Sequence, residues 1–90
     1  MSAMSGAHAH LAKAREFLEA AELEHSQDLY NAATSNAVLS GINSKDAICL
    51  KLAGKTKAQY QTTGIAESSA RRAIEQATRL YNEAQRIVTS

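Results

Sequence analysis

Proline and tryptophan are absent from this chain of 90 residues, aromatic residues make up only 4%, and there is one cysteine. Each shortage excludes something. A lone Cys49 leaves no intramolecular disulfide. No apolar run approaches the ~18 residues of a membrane-spanning helix, and no charged-then-apolar leader opens the chain. These three absences together predict a cytoplasmic protein. No glycine-rich phosphate loop, HExxH pair or Ser, His and Asp set can be written from the sequence, so no common catalytic motif offers itself.

The residues present point to helices. The apolar share of 44% is mostly Ala, Leu and Ile, and with no proline and four glycines this favours an all-α fold. Ninety residues make one domain at most, and a chain this short hides a smaller share of its surface than a larger one, so partner subunits are expected. The net charge of +1 is too small to announce a nucleic-acid binder, but it is unevenly spread. Residues 1 to 28 carry Lys13 and Arg15 against five acids, whereas residues 29 to 90 carry eight basic residues against four acids. The asymmetry suits either an acidic partner for the C-terminal half or two helices of opposite charge packed together.

Along the chain, residues 1–7 show no periodicity and predict a flexible tail, followed by a single domain over 8–90. His8 and His10 point to opposite sides of a helix and have no Cys or carboxylate beside them, so no metal or cofactor is expected. Leu11, Ala14, Leu18 and Ala21 recur three and four apart, with Phe17 flanking them, and predict an amphipathic helix over about 8–26. His25 falls in its last turn, where the helix dipole favours it. Asp28 is the expected N-cap of a central helix running to Gly54.

In that central segment Tyr30, Ala33, Ala37, Gly41, Ser44, Ile48 and Leu52 share one face, and most of them are small. Small side chains admit a close helix neighbour, and close packing would offset the cost of Gly41, up to about 1 kcal/mol relative to Ala in a helix interior. A second set, Val38, Ile42, Cys49 and Ala53, widens the apolar girth and predicts the middle position in a bundle. Tyr30 and Asp46 are expected to be buried structural residues. Neither Lys45 nor Lys51 stands at a favoured spacing to pair with Asp46.

Lys55 to Thr63 predicts a short connector helix or crossover ending at Gly64. A last helix then starts near Ala66, with Ala70, Ile74, Ala77, Tyr81, Ala84 and Val88 forming a heptad seam. Arg72, Arg79 and Arg86 line another face, with Glu75 and Glu83 at pairing distance from Arg79 and Arg86. The resulting expectation is a small antiparallel bundle of three main helices plus the connector.

Two stretches, HLAKAREFLEAAELEHSQDLYNAATSNAVLSGINSKDAIC and KTKAQYQTTGIAESSARRAIEQATRLYNEAQ, together resemble the HEPN family of small helical domains found beside nucleotidyltransferases in bacterial toxin–antitoxin modules. The likeness covers residues 8–87 and rests on the pieces YNAA, GINSKDAIC and KTKAQY. It implies a bundle that dimerises and, in active members, a metal-independent RNase built on an arginine followed a few residues later by a histidine. Here Lys55 stands for the arginine and Tyr60 for the histidine. An unperturbed tyrosine, with a pKa of about 10, does not trade protons near neutrality as histidine does. Lys55 retains a point charge for phosphate. Only LKLAG separates Cys49 from the KTKAQY piece, fewer residues than family members usually carry there, which shortens the third family helix.

The expected function is thus a non-catalytic interaction protein of antitoxin type. It would bind a toxin, such as a nucleotidyltransferase, through Tyr30, Ala33, Ala37, Gly41, Ser44 and Ile48, as a homodimer or hetero-oligomer. The alternatives are a weak RNase or RNA-binding toxin using Lys55, Lys57, Tyr60 and Arg71 or Arg72, and a purely structural bundle.

Overall fold

The computed structural model describes residues 3–52 and 69–90. They form three α-helices and, among the described residues, no strand: α1 (Ala3–Ser26), α2 (Tyr30–Lys51) and α3 (Ala70–Thr89). The all-α bundle of three main helices is therefore the observed architecture. The connector expected over 55–63, with Gly54 and Gly64 at its ends, lies outside the described residues.

The apolar stripe of α1 is buried at Leu11, Ala14, Leu18 and Ala21, as its spacing predicts, and it reaches further upstream. Residues 3–7 are helical rather than a tail, and Ala7 is fully buried. Size explains the extension. Ala7 continues the spacing from Leu11, and Gly6 lets the start of α1 descend onto the end of α2, where an added Cβ would stand 3.3 Å from Cδ1 of Leu50.

At its other end α1 closes through the backbone. The Asp28 N–H donates to the His25 carbonyl at 3.1 Å and the Leu29 N–H to the Glu24 carbonyl at 2.8 Å. These bonds satisfy carbonyls that the helix end leaves open, and they require one residue in the left-handed region. Asp28 is that residue, with φ 62°, a conformation that Asp tolerates better than most non-glycine residues. Asp28 is thus not the N-cap of α2. Leu29 holds that position, and its side chain cannot cap.

Polar contacts set the register of α1 against α2. The Ser40 hydroxyl donates to the Ala14 carbonyl at 2.7 Å, the Asn36 amide donates to Glu24 Oε1 at 2.7 Å, and His10 Nδ1 lies 3.0 Å from Asn43 Oδ1. Low numbers on α1 meet high numbers on α2, so the two are antiparallel. The pairing with α3 differs. Ala37 packs with Ala73 and Ala77 at one end, and Ile48 packs with Ile87 and Val88 at the other. Lys51 Nζ donates to the Ser90 carbonyl at 3.3 Å. Helices α2 and α3 are therefore parallel, so the expected antiparallel order holds for α1 against each neighbour and fails between α2 and α3. Lys51 and Ala70 consequently stand at opposite ends of the bundle.

Helix α3 begins at Ala70 rather than near Ala66. Ser69, extended at φ −156° and ψ 150°, accepts the Arg72 N–H at 3.1 Å and caps it. Ala70, Ala77, Ala84 and Val88 of the predicted seam are buried, joined by Ala73 and Ile87, while Ile74 and Tyr81 pack against the core part-exposed.

Candidate protein-docking surface

The face proposed for a partner is spent inside the chain. Ala33, Ala37, Gly41, Ser44 and Ile48 are all buried within the bundle, because their small side chains let α1 and α3 close over α2. This corrects their expected role as an exposed docking face. It is also why Ser40 and Ser44 are, with Ile48 and Val88, the largest fully buried side chains among the described residues. Ser40 is satisfied by the Ala14 carbonyl, whereas the Ser44 hydroxyl has no hydrogen-bond partner among the described residues.

Tyr30 departs from that face. It is half exposed rather than buried, because it sits at the first position of α2 beyond the end of the core. Its hydroxyl donates to Asp28 Oδ1 at 2.7 Å, and its ring meets the His25 ring edge-on with centroids 5.3 Å apart. The hydrogen bond to the Asp28 carboxylate, reinforced by the negative charge there, raises the tyrosine pKa above its ordinary value. Asp46, also expected to be buried, is only partly so and lies with Oδ2 4.0 Å from His10 Nδ1.

What α2 and its approach do present is a set of large apolar residues. Leu23 is 60% exposed, Leu29 51%, Tyr30 50%, Ile42 49% and Leu39 39%. Leu23, Leu29 and Tyr30 crowd the turn between α1 and α2. Leu39 and Ile42 stand on the outer side of α2, where Leu39 shares a shallow groove with Phe17, Lys13, Glu16 and Asn43. Periodicity placed Tyr30 and Ile42 among the residues expected to pack, and it overlooked Leu23, Leu29 and Leu39 because it searches for the buried stripe. The available signal was their position off it: Leu23 lies outside the Leu11 to Ala21 series, and Leu39 lies off the small-residue face of α2.

The basic residues assigned to RNA divide in two. Lys55, Lys57 and Tyr60 lie outside the described residues. Arg71 and Arg72 are exposed at the start of α3. Arg71 pairs with Glu75 across one helical turn at 3.8 Å, so Glu75 serves Arg71 rather than Arg79, and Arg86 pairs with Glu83. Arg72 and Arg79 make no ion pair among the described residues. No group of three or more His, Cys, Asp or Glu residues among the described residues is placed to hold a metal ion, and no described helix is long and apolar enough to cross a membrane.

No protein-family model, curated protein or solved structure matches the chain.

Proposed function

We propose that this chain is a non-catalytic interaction protein, an antitoxin-type component that binds and neutralises a toxin in the cytoplasm. One observation supports binding over chemistry: the chain keeps alanines in its core and sets large apolar side chains on its surface. Among the described residues, ten of the fifteen buried hydrophobic ones are alanine, while Leu23, Leu29, Tyr30, Leu39 and Ile42 are exposed. Burying a leucine is worth about 1.5–3 kcal/mol, so a chain that leaves four Leu and Ile residues outside forgoes stability that a bound partner would recover.

The resemblance to HEPN domains supplies the concrete partner, a toxin such as a nucleotidyltransferase. The test is co-expression with each protein encoded beside it. The chain is expected to co-purify with a toxic neighbour and to restore growth when that neighbour is induced; absence of both would refute the reading. A second reading, RNA binding on the exposed side of α3, is favoured only by Arg72 and Arg79. It requires salt-dependent RNA binding that Arg72→Ala with Arg79→Ala abolishes.

A further inference from the structure

The exposed apolar residues do not all sit in the same electrostatic setting, and the α1–α2 turn stands apart. From Glu16 to Ser44 the chain has five acids, Glu16, Glu19, Glu22, Glu24 and Asp28, and not one lysine or arginine. All five fall on the second half of α1 and the turn, around Leu23 and Leu29. Some of this charge is already engaged. Glu19 pairs with Arg15 at 3.5 Å, Glu24 accepts from Asn36, and Asp28 accepts from Tyr30. Glu16 and Glu22 have no ion pair or hydrogen bond among the described residues. From α3, Arg71 reaches the same end beside Glu22 and His25, but it is paired with Glu75.

The turn also breaks a local rule. The N-cap is where Ser, Thr, Asp or Asn would satisfy an open N–H, yet this position holds an exposed leucine. Places where a chain departs from its local preference without an internal gain are expected to be functional. The turn is tied by the backbone bonds that end α1 and by the Asp28 to Tyr30 to His25 contacts, and a surface ordered before binding lowers the cost of association.

We infer that the α1–α2 turn docks a basic amphipathic helix of a protein partner, its apolar face on Leu23 and Leu29 and its cations toward Glu16, Glu22 and the neighbouring acids. Charge complementarity selects this occupant: an acidic rim around exposed leucines, whose neighbouring cations Arg15 and Arg71 are already paired with Glu19 and Glu75, repels an acidic segment and attracts a basic one. The inference rests on the interaction reading above and specifies the chemistry of the partner.

The test uses the full chain, isotope-labelled, titrated with two synthetic helical peptides that share a leucine face and carry lysines or glutamates on the polar face. The lysine peptide is expected to shift amides between Glu19 and Tyr30, to bind about tenfold or more tightly than the glutamate peptide, and to weaken as salt rises. Leu23→Ser with Leu29→Ser is expected to reduce its affinity by about tenfold or more while circular dichroism stays unchanged, since both residues lie outside the core. Equal affinity for the two peptides, shifts confined to α3 or to the outer side of α2, or an unaltered affinity in the folded double variant would overturn the inference. The two readings fail separately. A toxin that co-purifies but whose binding ignores both salt and the double substitution sinks the docking site alone; a turn that binds the lysine peptide in a chain with no cellular partner sinks the antitoxin role alone.

Discussion

The two ends of the bundle are built from opposite materials. Where the start of α1 meets the ends of α2 and α3, the core contains Leu11, Ile48, Ile87 and Val88, with Leu50, Leu52 and Leu80 packed around them. Toward the α1–α2 turn, the buried cluster is Leu18 with Ala21, Ala37, Ala73 and Ala77. Apart from Leu18 and the part-buried Ile74 and Tyr81, the large apolar side chains near this second end stand outward, at Leu23, Leu29 and Tyr30. One end spends its apolar surface on folding. The other holds the helices together mostly with alanines and leaves apolar surface exposed.

The contrast is sharpest at Ile48. Ile48→Ala should cost about 2–5 kcal/mol, because it empties the one fully buried isoleucine among the described residues. Denaturant unfolding should show this as a lower midpoint, and a cost below that of a surface substitution would erase the distinction between the ends. The alanine end should fail in the opposite way. Ala77→Leu overfills a site where three helices meet and should cost about 1–3 kcal/mol; a stabilised variant would mean that the cluster of small residues holds spare volume.

Two buried serines refine the comparison along α2. Ser40→Ala removes the hydroxyl that donates to Ala14 and should cost about 0.5–1.5 kcal/mol, whereas Ser44→Ala removes a buried hydroxyl with no partner among the described residues and should be neutral or stabilising. Equal effects in thermal unfolding would show that the Ser40 bond contributes nothing. At the turn, Leu29→Ser should stabilise α2 by about 0.5–1 kcal/mol through a proper cap while weakening partner binding. A loss of stability instead would give Leu29 a structural role.

The smallest effect concerns Tyr30. Asp28→Asn removes the carboxylate that favours the neutral phenol, so the Tyr30 pKa should fall toward its ordinary value, as read from its ring resonances during an alkaline titration. The sign follows from linkage. A pKa raised on folding contributes stability below the unfolded-state pKa and loses it as pH rises through the folded-state value, so Asp28→Asn should shrink this alkaline dependence. An unchanged Tyr30 titration would mean that the contact does not persist in solution.

Much of the fold was legible in the sequence. The spacings of Leu11, Ala14, Leu18 and Ala21, and of Ala70, Ala77, Ala84 and Val88, are those of the buried faces of α1 and α3, because a helix of 3.6 residues per turn can bury only one stripe. The small-residue face of α2 was equally legible as a close-packing face. Its destination was not, since a stripe of Ala, Gly and Ser suits a neighbour from the same chain as well as one from another. Asp28 misled because an Asp before a helix is more often a cap than the left-handed residue that closes the preceding helix.

By itself, then, the sequence determined the helices and the stripe each would bury, because those depend on local propensity and on a period measured within one element. Only the tertiary structure decided that α2 runs parallel to α3, that its small-residue face is consumed by α1 and α3, and that Leu23, Leu29 and Tyr30 remain outside. Those outcomes depend on which helix meets which, a relation between segments distant in the chain that no single period encodes.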